Sequence, residues 1–305
     1  MRVDCASNPP MNKRIVLSLA AVLALFGNSP IYSAETNSTV ETPTSSTPAA
    51  TNPTSPNSEV ADAVHLLVAR SMARLQLQKP NEADFAGILE DYDSLLAKYT
   101  KTNDDRLNIL IEKGKLYLTL DDPIRALEVF KQVHTEYPDI ALNGNTIEWL
   151  TMLKDEADRK QVRDTLTPGT TFPDFDEKDL QDKAVSISKY KGKLVLVDFW
   201  ATWCPPCVAS VPEVQKVYNK YHDKGFEVVG ISLDEDKDAL EKFVKQRKLP
   251  WSQHFDGARF DGKLAKKYGV NVAPTTYLIG RDGKIIKLLT PADDLEKEVA
   301  KALKG

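Results

Sequence analysis

The sequence of 305 residues contains only three cysteines, Cys5, Cys204 and Cys207, and four histidines, His65, His134, His222 and His254. So few thiols exclude a fold stapled by several disulfides. One Cys-x-x-Cys pair, with no second pair and with histidines scattered along the chain, gives no zinc ligand set. Neither sign of charge dominates: 40 Lys and Arg stand against 44 Asp and Glu, a net charge of −4. That balance gives no electrostatic reason to expect nucleic acid or an anionic membrane surface as a partner. Long apolar runs are missing too. Ile15–Phe26 is twelve residues long, too short to cross a bilayer as a helix.

That run has the make-up of a secretory leader. Lys13-Arg14 precede it, Gly27-Asn28 end it, and Ala34 offers a cleavage point, so residues 1–34 read as leader. Met11 is an alternative start, and a leader retained as a membrane anchor remains open. Cys5 lies ahead of the apolar run, where no lipoprotein cysteine would stand. Without the leader only Cys204 and Cys207 remain, which in an oxidising compartment read as a working pair. Residues 35–58 are Thr, Ser, Pro and Asn with almost nothing apolar, and read as a disordered linker.

Residues 59–166 read as a small all-α domain. Val60, Val64, Leu67, Val68, Met72 and Leu75 recur at helical spacing, with Pro80 as the stop. Phe85 to Tyr99 gives a second helix, Leu107 to Leu120 a third and Ile124 to Tyr137 a fourth. Asp121-Asp122-Pro123 is a turn that puts proline at the first helical position. Gly114, Tyr117, Ala126, Phe130 and Pro138 fall at the intervals of one tetratricopeptide repeat, which this helical hairpin resembles. A last helix is expected over Thr146–Leu166, with the charged run Lys154–Arg163 as a solvated face. The domain could be a protein-binding platform or a hairpin that only packs; both readings stay open. No catalytic constellation stands out in it.

The informative stretch is Val195 to Cys207, Val-Leu-Val-Asp-Phe-Trp-Ala-Thr-Trp-Cys-Pro-Pro-Cys. Its β-branched, apolar start predicts a buried strand over Leu194–Trp200. A helix should begin near Cys204. Two cysteines on its first turn can close a disulfide with little backbone movement, and the helix N-terminus favours a thiolate. Pro205 and Pro206 lack N–H groups, so the thiolate relies on the Cys207 amide and the helix dipole and is stabilised only in part. Pro212 falls inside the helix. Beyond it, strands are expected over 226–233, 277–280 and 284–289 and helices over 238–247 and 295–303. Arg281-Asp282-Gly283 forms a hairpin turn, Thr170–Ile187 an irregular lead-in, and 257–269 an insert able to contact partners.

Trp203-Cys204-Pro205-Pro206-Cys207 after a Val-Asp-Phe-Trp strand resembles the thioredoxin superfamily. Phe172-Pro173-Asp174-Phe175 and Tyr190-Lys191-Gly192-Lys193 are similar to the TlpA/ResA-like thiol–disulfide oxidoreductases of bacterial envelopes. The resemblance implies an α/β thioredoxin-like fold over 167–305, a central mixed sheet flanked by helices. It implies Cys204 as the exposed nucleophile and Cys207 as the less exposed resolving thiol, the two forming the redox disulfide. Asp198 would be the proton acceptor, though an aspartate that merely bonds a backbone amide fits the same position. ResA-like proteins more often have asparagine there and a glutamate three residues after the second cysteine, where this chain has Ser210. Val272-Ala273-Pro274-Thr275 resembles the cis-proline loop, with the Ala273 backbone pairing with substrate and Trp200 and Trp203 on an apolar rim. The peroxiredoxin pattern Pro-x-x-x-Thr-x-x-Cys is not met. The implied role is reduction of disulfides in envelope proteins, apocytochrome c among the candidates. A membrane donor of the DsbD/CcdA type would supply electrons, and no bound cofactor is needed. The competing reading is a protein-binding scaffold working through its helical domain.

Overall fold

The computed structural model describes residues 56–77, 81–142 and 146–304. The leader, most of the linker and the Pro80 stop lie outside them. The described chain divides into two compact units, between Ala157 and Asp158. Among the described residues no helix is long and apolar enough to cross a membrane.

The first unit is helical. Helix α1 (Pro56–Leu75) starts inside the stretch read as linker. A 3-10 turn, Glu82–Phe85, leads into α2 (Ala86–Lys98). Then come α3 (Asp104–Thr119), α4 (Pro123–Glu136) and α5 (Thr146–Thr165), whose last turns belong to the second unit. Side chains set the starts: Asn103 accepts from the Arg106 amide and Asp122 from the Arg125 amide, as N-caps do. The core gathers Val60 and Val64 of α1, Phe85, and Leu110 and Phe130 of the following helices. Gly114 lets α3 and α4 approach closely, since a Cβ there would lie 2.6 Å from the Phe130 ring.

The second unit is built on a five-stranded sheet in the order β5-β4-β3-β6-β7. Strand β3 (Leu194–Trp200) is central. Strands β4 (Phe226–Ser232) and β5 (Ser252–Phe255) run parallel to it, and β6 (Thr275–Ile279) and β7 (Ile285–Leu289) extend the other side antiparallel. This is the expected thioredoxin-like α/β fold with a mixed sheet. A lead-in hairpin pairs β1 (Glu177–Lys178) with β2 (Ala184–Val185). Helices α6 (Pro205–Tyr221), α7 (Lys237–Arg247), α8 (Lys263–Lys267) and α9 (Leu295–Lys304) complete the unit. β3 and β4 are paired on both sides and buried almost throughout, which is why their sequences are continuous apolar runs instead of alternating ones.

Two readings change here. β5 and α8 had no counterpart in the sequence analysis: β5 is polar, Ser-Gln-His-Phe, and α8 spans five residues. The Lys154–Arg163 run is not uniformly solvated. Arg159 is 5% exposed and donates to the carbonyls of Phe260 at 2.7 Å and Val270 at 3.0 Å. One turn on, Arg163 donates to the Gly269 carbonyl at 2.8 Å. The two guanidinium groups pin the segment that leads into the Val272–Thr275 loop.

Candidate active site

β3 ends at Trp200, and the next three residues are held by the end of β4. The Leu233 amide donates to the Trp200 carbonyl at 2.7 Å. Asp234, 2% exposed, accepts from the Thr202 amide at 3.1 Å, the Thr202 hydroxyl at 2.6 Å and the Ser232 hydroxyl at 2.8 Å. The Trp203 indole donates to the Leu233 carbonyl at 3.2 Å. These bonds fix the backbone immediately before Cys204. Asp234 was not singled out in the sequence, where its only mark is a place just past an apolar strand.

Cys204 is the N-cap of α6, with Pro205 and Pro206 in the first helical positions. Its Sγ is bonded to Cys207, the Cα atoms 5.3 Å apart. The Cys207 amide, the first that the two prolines leave available, donates to Cys204 Sγ at 3.3 Å. The expected contrast in exposure is absent in this oxidised state: Cys204 is 3% and Cys207 2% exposed. The disulfide ties the first sulfur to the buried second one, so the two differ by place in the helix, cap against first turn. Ser210, where ResA-like proteins tend to have glutamate, turns its hydroxyl onto the Cys207 carbonyl at 2.8 Å.

Asp198 sits within β3, paired with Gly230 of β4 and Thr276 of β6. The residue as a whole is only partly buried. Protein packed about the carboxyl nonetheless raises its pKa to about 6, opposed by the Thr276 hydroxyl, which donates to Oδ1 at 2.8 Å. Desolvation penalises the charged form, and this places the group where it can exchange protons near neutral pH. The alternative role, an aspartate bonding a backbone amide, has no such bond beside it among the hydrogen bonds of the described residues; its partner is a hydroxyl.

The Ala273–Pro274 peptide is cis, and the Thr275 hydroxyl donates to the Val272 carbonyl at 2.7 Å. Val272 and Trp203 are 46% and 43% exposed, large apolar groups beside the loop proline and beside Cys204. The Arg259 guanidinium lies 4.6 Å over the Trp203 ring. Trp200 is not on this rim. It is 3% exposed, its indole donates to Gln253 Oε1 at 2.9 Å, and Phe243 of α7 covers it with ring centroids 5.4 Å apart. Among the described residues no group of three or more His, Cys, Asp or Glu could hold a metal ion.

Residues 167–304 match the Redoxin family. Thiol-disulfide oxidoreductase ResA of Bacillus thuringiensis subsp. konkukian is 39% identical over 119 residues, 39% of this chain and 67% of that protein. ResA of Bacillus subtilis is 31% identical over 128 residues, 42% of this chain and 70% of that protein. The chain belongs to the ResA-like thiol–disulfide oxidoreductases. The thioredoxin domain of a thiol-disulfide oxidoreductase from Bacteroides vulgatus also aligns, at 33% identity over 45% of this chain and 97% of that one, with a TM-score of 0.41. As a ResA-like enzyme the protein exchanges thiols and disulfides, and the Cys204–Cys207 disulfide is the oxidised form of such a pair. The two alignments span 39% and 42% of this chain and about two thirds of each relative.

Proposed function

We propose that this enzyme reduces disulfides of proteins outside the cytoplasmic membrane. Cys204 thiolate attacks one sulfur of the substrate disulfide; the other sulfur leaves as a thiolate and takes up a proton. Asp198 then accepts the proton of the Cys207 thiol. The Cys207 thiolate attacks Cys204 Sγ, the substrate leaves as its second thiol, and the Cys204–Cys207 disulfide remains. Two electrons have passed from the enzyme to the substrate. The Ala273 backbone and Trp203 would hold the extended substrate segment against the pair. A membrane thiol donor of the DsbD/CcdA type would restore the dithiol, and apocytochrome c is one candidate substrate. A secretory leader over 1–34 accounts for export.

The observation that carries the direction is the first turn of α6. Pro205 and Pro206 leave one amide, that of Cys207, on Cys204 Sγ. A thiolate with one donor is stabilised less than one facing a full helix N-terminus, and a less stabilised dithiol is the better reductant. We also read α3 and α4 as one tetratricopeptide-like repeat, on the close Gly114–Phe130 approach, offering a surface for a protein partner.

The test is the reduction potential of the pair, from equilibration of the leaderless protein with dithiothreitol or glutathione buffers. A value near about −270 mV supports the reductase; one near about −120 mV makes the protein an oxidant and overturns the direction.

A further inference from the structure

One buried donor near Asp198 is not accounted for by the fold or by the chemistry above. Gln253 is 2% exposed, and its Nε2 has no protein partner among the described residues. A buried amide without a partner is costly enough that its site calls for a reason.

Register puts Gln253 in the row of Asp198. Thr276, Asp198, Gly230 and Gln253 stand opposite one another across β6, β3, β4 and β5. All use the same face. The Thr276 hydroxyl reaches Asp198, and a Cβ on Gly230 would lie 2.0 Å from Gln253 Oε1 and 2.8 Å from Nε2. Gly230 therefore leaves a gap in the row, and the Gln253 side chain lies across it toward β3. Its orientation is fixed. The Trp200 indole can only donate, so Oε1 must face it, at 2.9 Å, and Nε2 is turned away. Strands are about 4.8 Å apart, so an amide above β4 is about one strand spacing from a carboxyl on β3. That is close to the span of one water making two hydrogen bonds of about 2.8 Å.

We propose that Gln253 is a positioning residue for Asp198, its Nε2 donating to a buried water that donates in turn to the carboxylate. Gly230 makes the room and Trp200 sets the direction. The arrangement stabilises the charged base without placing a charge next to it. Among the described residues, the influences on this carboxyl are burial, which comes first, and the Thr276 hydroxyl. The proposal deepens the reading of Asp198 as the base.

Nuclear magnetic resonance on the oxidised wild-type protein tests it directly. The Gln253 side-chain amide signals should shift with pH along the Asp198 carboxyl carbon, with the same midpoint, and exchange with a bound water. Amide signals that stay still through the Asp198 titration overturn the proposal. Gln253→Met provides the second readout, since it keeps length and loses the amide. Its Asp198 midpoint should rise by about one pH unit, a tenfold gain in proton affinity. A folded Gln253→Met with lower stability but an unmoved midpoint shows a merely structural glutamine and refutes the proposal. Neither readout needs turnover, so failure here is separable from failure of Asp198 as the base, which Asp198→Asn kinetics report.

Discussion

Asp198 costs the folded protein stability near neutral pH, where the proposed mechanism uses it as a base. Its folded pKa is about 6, against about 3.9 in an unfolded chain. Between these values the native state binds more protons than the unfolded one, so stability falls as pH rises through the window. Below about pH 4 both states are protonated and no penalty exists; above about pH 6 the full difference, about 2 pH units or roughly 3 kcal/mol, is present. Asparagine keeps the acceptor for the Thr276 hydroxyl and never ionises. Asp198→Asn should therefore be more stable than wild type by about 2 kcal/mol at pH 8 and no more stable at pH 4, as read by urea unfolding of the oxidised proteins. The same variant should slow release of substrate from the mixed disulfide with Cys204. An equal stability offset at both pH values would remove the buried charge from the account.

In the proposed reading the first turn of α6 sets the redox poise. Pro206→Ala restores one N–H without altering the fold of the turn, because alanine fits any helical position. A hydrogen bond to a charged group contributes about 1.5–3 kcal/mol, which for a two-electron couple corresponds to about 30–60 mV. The variant should be more oxidising by that amount and hold more Cys204 as thiolate at neutral pH, followed by ultraviolet absorbance. A potential unchanged within about 10 mV would detach the prolines from the poise. The elements around this turn differ in how far they could be read from sequence. β3 and α6 were legible because a β-branched run and a Cys-x-x-Cys are local signals. β5 was not, since Ser252, Gln253 and His254 have no apolar pattern. Gln253 and His254 are buried with bonds to other elements, the Trp200 indole to Gln253 Oε1 and His254 Nδ1 to the Lys178 carbonyl. The row Thr276, Asp198, Gly230, Gln253 exists only through strand register, which joins residues far apart in the chain. Asp234 and Thr202 meet for the same reason.

The division of the whole chain follows side chains more closely than it follows sequence families. The family match begins at residue 167, where the sequence reading also starts the redox domain, but the compact unit begins at Asp158. The difference is the last two turns of α5. Arg159 and Arg163 there hold the carbonyls of Phe260, Gly269 and Val270, and Leu166 is part of the redox core. A fragment covering 158–305 should keep disulfide reduction of a small model substrate within about twofold, since every group of the site lies within it. A fragment covering 167–305 loses three hydrogen bonds from charged donors, a cost on the order of 4 kcal/mol. Its thermal midpoint should fall by about 10–15 °C relative to the longer fragment. Two of the carbonyls it releases, those of Gly269 and Val270, lie just ahead of Val272, so the loop of Ala273 and Pro274 should also loosen. That loosening would appear as a higher KM for a protein disulfide, with the reduction potential unchanged. Equal midpoints for the two fragments would show that α5 contributes nothing to the redox unit beyond its connection.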